Sequence, residues 1–249
     1  MRRFKDKIAV ITGASSGIGR AIALALGKEG AKLYLVGRRL DKLEMVANLA
    51  IKNGSWANCY QADLTIDKDM RRLVEKLTRD FGKLDILIHS AGFISFNVVE
   101  CASIEDLDQH YHVNVRAPYV LTQLLLPMLR ASQGQIVFVN SIVAVRAARA
   151  KQSQYAATKY ALKAVADSLR EEVNVDGIRV ISVYPASSAT PMQEKVCAME
   201  GKEYHPEKLM RPDDTAVMVI CALSLPQSAE VTDIMIRPMN KHTAAQAFK

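Results

Sequence analysis

Lys7-Ile8-Ala9-Val10-Ile11-Thr12-Gly13-Ala14-Ser15-Ser16-Gly17-Ile18-Gly19 carries three structural signals in one short stretch. The apolar run up to Thr12 reads as a buried strand. The glycines that follow read as a sharp turn, and Ile18–Lys28 has the i, i+3, i+4 apolar spacing of a helix. Gly13 permits the turn, Gly17 lets a pyrophosphate approach the backbone, and Gly19 lets the helix pack on the strand. The helix N-terminus offers unpaired N–H groups and a partial positive charge to phosphates. The spacing is G-x3-G-x-G, not the commoner G-x-G-x-x-G, and glycine-rich turns also serve as plain connections. Its position at the first strand of a strand–helix–strand unit favours dinucleotide binding, with Gly13, Ser15, Ser16, Gly17, Ile18 and Gly19 as candidate contacts.

The same alternation continues along the chain. Lys7–Thr12, Leu33–Gly37, Ala57–Gln61, Asp85–Ser90, Gln135–Ser141, Arg179–Tyr184 and Thr232–Arg237 read as strands buried on both faces. Between them, Leu40–Lys52, Lys68–Phe81, Leu107–Arg130, Tyr155–Val175 and Pro212–Leu225 read as helices. This pattern predicts one α/β domain over residues 1–239: a Rossmann-type, doubly wound, parallel seven-stranded sheet with helices on both faces. Residues 189–211 break the rhythm with two prolines, three methionines and no strand, which predicts a substrate lid. Residues 240–249 read as a polar tail.

Composition narrows the function classes. The chain has 249 residues, 49% of them hydrophobic, enough for a full core. Its longest apolar stretches, such as Ala216–Leu225, are about half a membrane span. The apolar run after Arg2, Arg3, Lys5 and Lys7 is too short for a secretory leader. Cys59, Cys101, Cys197 and Cys221 are too scattered for a metal site and read as reduced thiols, so a cytoplasmic protein without metal is expected. Between Asp108 and Asp167 no acidic residue occurs, while Arg116, Arg130, Arg146, Arg149, Lys151, Lys159 and Lys163 account for the whole net charge of +7. That segment reads either as solvated faces or as an electropositive cleft.

The second strand ends at Val36-Gly37-Arg38-Arg39. A protein selecting NAD(H) would place a carboxylate here for the ribose 2′-hydroxyl. Arg38 and Arg39 suit a 2′-phosphate instead, so NADP(H) is favoured over NAD(H). Farther on, Tyr155-Ala156-Ala157-Thr158-Lys159 opens a predicted helix, and i, i+4 spacing projects the phenol and the ammonium from one face. A tyrosine acting as acid or base near neutrality needs its pKa moved by about three units, which a nearby lysine in a partly dry cleft is of the right order to supply. Ser141 ends the predicted strand Gln135–Ser141 at the sheet edge where ligands bind, fourteen residues before Tyr155. Its hydroxyl is placed to bond a substrate oxygen as charge develops.

With these residues the sequence resembles the short-chain dehydrogenase/reductase family, in its small single-domain branch, over roughly residues 5–237. The resemblance implies that Tyr155 donates and accepts the proton, that Lys159 lowers its pKa and binds the nicotinamide ribose, and that Ser141 orients the substrate. It implies a proton-relay role for Asn114, adenine contacts for Asp63 and Leu64, and nicotinamide contacts for Pro185, Ser188 and Thr190. Three departures stand out. Ser90-Ala91-Gly92 replaces Asn-Ala-Gly, Pro185-Ala186 replaces Pro-Gly, and Arg237-Pro238-Met239 stands where Gly-Gly is frequent. The family also implies a homodimer or homotetramer through Leu107–Arg130 and Tyr155–Val175.

The expected activity is NADP(H)-dependent interconversion of a small-molecule ketone or aldehyde with an alcohol. Phe93, Val143, Ala148, Ala186 and Met192 are pocket-lining candidates by position. Arg146, Arg149 and Lys151 either meet an acidic substrate group or form a solvated loop. His110 and His112 lack i, i+4 pairing and a third ligand and read as partly exposed or core histidines, and His89 as a packing residue. Two rivals remain: epimerisation or dehydration on the same fold, and a non-catalytic nucleotide-binding scaffold or regulatory protein. Nucleic-acid and membrane partners are not expected, because the basic residues lack interleaved aromatics and no span is long enough.

Overall fold

A computed structural model describes residues 2–146 and 149–239. Seven strands, β1 (Ile8–Thr12), β2 (Lys32–Gly37), β3 (Ala57–Gln61), β4 (Ile86–His89), β5 (Gln135–Val139), β6 (Arg179–Pro185) and β7 (Asp233–Ile236), form one sheet. All neighbours run parallel, in the order β3-β2-β1-β4-β5-β6-β7. The chain leaves β1 toward one edge and crosses back to β4 to build the other. A crevice therefore opens at the carboxyl ends of β1 and β4, where neighbouring connections run to opposite faces.

The strands supply two cores. Ala9, Ile11, Leu33, Leu35, Ile86, Ile88 and Val137 bury against one helical layer, α1 (Gly17–Lys28), α2 (Leu40–Lys52) and α8 (Pro212–Leu223). Ile8, Val10, Tyr34, Val36, Leu87, Ile136 and Phe138 bury against the other, α3 (Asp67–Phe81), α5 (Ala117–Arg130) and α6 (Ser153–Val173). Two residues in succession therefore enter opposite cores, which is why the strands read as continuous apolar runs.

Boundaries differ where a local bond intervenes. Gly82, at φ 67°, closes α3 in the left-handed conformation. The single helix expected over Leu107–Arg130 begins earlier and is interrupted. Ser103 caps α4 (Ile104–Tyr111) by accepting from the Asp106 N–H at 3.0 Å. A π-helical turn, His112–Arg116, then separates α4 from α5. The expected strand to Ser141 stops at Val139, because the Ser141 hydroxyl turns back to accept from the Val143 N–H at 3.3 Å and starts a 3-10 turn, Ile142–Val145. Within 189–211 lies a further helix, α7 (Pro191–Met199), capped by Thr190 with Pro191 in its first turn. Its flanks are tied by the Ala189 N–H donating to the Met210 carbonyl at 2.7 Å. The pocket candidate Ala148 and the tail 240–249 lie outside the described residues.

Candidate active site

The glycine loop is shaped by close approach of backbone to backbone. Gly13 sits at φ 64°, and a Cβ there would lie 2.7 Å from both the Ala91 nitrogen and the Ser90 carbonyl oxygen. A Cβ on Gly19 would lie 2.6 Å from the Gly13 oxygen, so the helix packs on the loop as its glycine predicts. Gly17, at φ 55°, faces the Thr190 methyl, with a Cβ there 3.1 Å from it. Thr12, to which the sequence assigns only a strand end, fastens the crevice. Its Oγ1 accepts from the N–H groups of Ser90 and Ala91 at 3.1 and 3.2 Å. It donates to the Ile88 carbonyl at 3.3 Å. The substitution of Ser90 for the family asparagine leaves this stitch intact, because Thr12 bonds the backbone.

A cleft of about 360 Å³ lies over this loop. Ser15, Ser16, Gly17 and Arg20 line one wall, and Ala189, Pro191, Pro212 and Asp213 the other. Ser16 is the N-cap of α1, yet its side chain makes no capping bond, which leaves hydroxyl and first-turn N–H groups to face a phosphate. Arg38 and Arg39, at the end of β2, are exposed and have no carboxylate partner among the described residues. Asp63 turns its Oδ1 toward Thr65, accepting from that residue's N–H at 2.9 Å and hydroxyl at 2.7 Å. Leu64 packs partly buried on the second core. Pro185 ends β6, the buried Ser188 donates to the Ala186 carbonyl at 3.0 Å, and Thr190 Oγ1 is engaged by the Gln193 N–H at 3.2 Å. Together these positions offer open N–H groups at the start of α1, a glycine that gives room, and two exposed guanidinium groups at the end of β2.

On the other side of the crevice, Asn114, Ser141, Tyr155 and Lys159 are all buried. Asn114 sits in the π turn and holds the loop after β4 at both of its polar atoms. Oδ1 accepts from the Phe93 N–H at 2.8 Å and Nδ2 donates to the Phe93 carbonyl at 3.0 Å. Nδ2 also donates to Thr158 Oγ1 at 3.1 Å, tying the loop to α6. Tyr155 and Lys159 lie one turn apart on α6, with Nζ 5.8 Å from the phenol ring centre. The ammonium donates to the Val139 carbonyl at 3.3 Å.

Electrostatics here depart from the expectation. Burial raises the Tyr155 phenol above its ordinary range, with the Ser141 hydroxyl pulling it down. Burial also lowers Lys159 to about 8. Desolvation outweighs the Ser141 hydrogen bond, so the phenol keeps its proton near neutrality. Of the seven cations in the acid-free segment, Arg116 forms a bidentate pair with Asp67 at 2.6 and 2.8 Å. Arg130 pairs with Asp176, Lys163 with Asp167, and Lys159 is buried in the site. Arg146, Arg149 and Lys151 remain exposed with no carboxylate partner among the described residues.

His89 stacks on Phe138 at 5.0 Å and bonds Thr122, and burial lowers it to about 3, as a packing residue requires. All four cysteines are free, and no cluster of metal-ligating side chains occurs among the described residues. No helix among them is long and apolar enough to cross a membrane. Met192 on α7 reaches over Gly92, where a Cβ would lie 3.5 Å from its Cε. Phe93, Val143 and Ala186 are each half-buried.

Comparison with known proteins places this arrangement. A family model described as short chain dehydrogenase matches residues 7–201. An uncharacterized oxidoreductase of Staphylococcus epidermidis is 32% identical over 240 residues, spanning 96% of this chain and all of that protein. An alcohol dehydrogenase from the archaeon Thermococcus sibiricus, solved with 5-hydroxy-NADP, superposes with a TM-score of 0.86 at 29% identity, covering 96% of this chain and 99% of that one. L-Sorbose reductase from Gluconobacter frateurii, solved with NADPH and L-sorbose, gives 0.86 at 29% identity, covering 98% and 100%. The chain belongs to the short-chain dehydrogenase family, and it is an oxidoreductase acting on CH–OH groups with a nicotinamide cofactor.

Proposed function

We propose that this chain is an NADP(H)-dependent carbonyl reductase, working on a ketone or aldehyde and its alcohol. The observation that carries the reading is the protonated, buried Tyr155 beside Ser141, with Lys159 one helical turn away. The nicotinamide, when bound, supplies the hydride. Ser141 holds the carbonyl oxygen, and Tyr155 Oη gives its proton to that oxygen as negative charge develops. The Lys159 ammonium stabilises the phenolate left behind. In the reverse direction the phenolate recovers the proton from the alcohol.

Arg38 and Arg39 would hold the 2′-phosphate, Ser15 to Gly19 the pyrophosphate, Asp63 and Leu64 the adenine end, and Ser90 to Gly92 with Pro185, Ser188 and Thr190 the nicotinamide end. The NADP-bound relatives support this choice of cofactor. The segment 189–211 acts as the lid of the domain. Leu107, Tyr111, Tyr119 and Tyr160 expose an apolar face on α4, α5 and α6, which supports a homodimer or homotetramer through those helices.

Nicotinamide fluorescence of the protein titrated with NADPH and NADH tests the cofactor. NADPH is expected to bind more tightly, and Arg38→Ala to weaken NADPH by about tenfold or more while leaving NADH unchanged. Equal loss for both would reject the 2′-phosphate role. Binding of neither would favour the non-catalytic scaffold.

A further inference from the structure

We propose that His110 is a positioning residue for the substrate pocket: in its neutral form it fixes the wall between Tyr155 and the lid. The inference rests on the carbonyl-reductase reading and adds a residue that the reaction scheme does not use.

His110 is fully buried on α4. Its Nδ1 lies 2.7 Å from the Asp106 carbonyl oxygen, and its Nε2 lies 3.1 Å from the Ser95 nitrogen. A carbonyl only accepts and a backbone N–H only donates, so Nδ1 carries the hydrogen and Nε2 is bare. Both ring nitrogens are thereby assigned, and the imidazole is neutral. The ring meets Phe93 edge-on at 4.8 Å and lies 6.2 Å from the Tyr155 ring.

The segment held this way has no regular secondary structure of its own. Asn114 grips Phe93 through both backbone polar groups, and His110 grips Ser95 two residues on. Phe96 follows, 6.3 Å from the Tyr155 ring, and Gly92 precedes, facing Met192 of the lid. Two side chains from α4 and the π turn thus set the path of Gly92–Phe96, which runs from beside Met192 on α7 to beside the Tyr155 ring.

Protonation would put a second hydrogen on Nε2, facing the Ser95 N–H. An acceptor would become a donor, the bond would be lost, and the wall would be released. The groups facing the ring are Asp106 on its own helix, which favours protonation, and Tyr155 and Lys159 on α6, of which the ammonium opposes it. Residues 92–97 carry no titratable side chain. Burial holds the imidazole below its usual range, so the neutral form prevails near neutrality.

Three proteins test this: wild type, His110→Gln and His110→Phe. Glutamine places an acceptor at the reach of Nε2 and does not titrate, whereas phenylalanine keeps the ring and removes the acceptor. Amide hydrogen exchange on the cofactor-free chain at pH 7.5 is expected to show Ser95 protected in wild type and His110→Gln and unprotected in His110→Phe. On acidification, Ser95 should lose protection in wild type but keep it in His110→Gln. With a ketone that wild type reduces in an NADPH-oxidation screen, His110→Phe should raise KM about tenfold with kcat within about twofold. His110→Gln should restore KM and remove its rise at low pH. A Ser95 amide equally protected in His110→Phe, or a KM and pH profile common to all three, would overturn the inference. No turnover in wild type would instead overturn the reductase reading, and the exchange pattern would still decide whether His110 is the lock.

Discussion

The two sides of the crevice are built in different currencies. The side proposed to bind nucleotide, from Gly13 to Gly19, is backbone: its shape comes from positive φ at Gly13 and Gly17 and from contacts that exclude a Cβ. The side proposed to meet substrate is side chains, drawn from the π turn (Asn114), the cap of the 3-10 turn (Ser141), α6 (Tyr155, Lys159) and α4 (His110). The first is therefore sensitive to added volume and the second to lost functional groups. Thr12 joins them, because its one hydroxyl fixes both ends of the Ser90–Ala91 link.

Tyr155→Phe gives the largest expected break in this comparison. NADPH-dependent turnover should fall by about a thousandfold, with NADPH affinity within about threefold of wild type, since only the proton is removed. Turnover within tenfold of wild type would show that another group supplies the proton. Gly13→Ala should break the opposite side, lowering stability by about 3 kcal/mol, because positive φ and a backbone collision act together. Gly37→Ala is its control. The nearest atoms to a Cβ there belong to the Leu43 side chain, the first at 3.5 Å, and stability should move by less than about 1 kcal/mol. Denaturant melts of both variants settle the contrast, and equal losses would refute it.

Acid should weaken the floor beneath both sides. His89 titrates near 3 in the folded chain against 6.5 when exposed, so the unfolded chain binds the extra proton between those values. Its contribution is complete above pH 6.5 and is lost as pH falls, about 2 kcal/mol by pH 5. His89→Gln should flatten that part of the pH dependence measured by urea unfolding. An unchanged slope would assign it to other groups. The smallest effect concerns Arg146 and Arg149. Replacing both by Ala should raise KM about threefold for carboxylate-bearing carbonyl compounds, and less at high salt, with neutral ones unaffected. Identical KM values for both substrate types would make that loop a solvated face.

How much was legible in the sequence follows from the same division. The strand–helix alternation, the glycine loop, Arg38 at the end of β2 and the Tyr155–Lys159 pair were readable because each is local: a period, a turn or an i, i+4 spacing. Helix breaks were less so. A π turn at Asn114 leaves no mark in the apolar pattern, and the early end of β5 depends on one hydroxyl at Ser141. His110 read as a partly exposed or core histidine; it is buried, and its hydrogen bond to Ser95 joins segments fifteen residues apart and had no signature in the chain. Thr12 stood inside the quoted motif without an assigned partner for the same reason.

By itself, then, the sequence determined the layered sheet, the glycine turn after β1 and the residues from which the proposed active site is drawn. These depend on periodicity, on the conformational freedom of glycine and on residue chemistry, all properties of neighbouring residues. Only the tertiary structure decided the protonation balance between Tyr155 and Lys159, the tautomer of His110 and which cations stay unpaired. Each of these depends on burial and on partners brought together from distant parts of the chain, and desolvation acts only once the chain has folded.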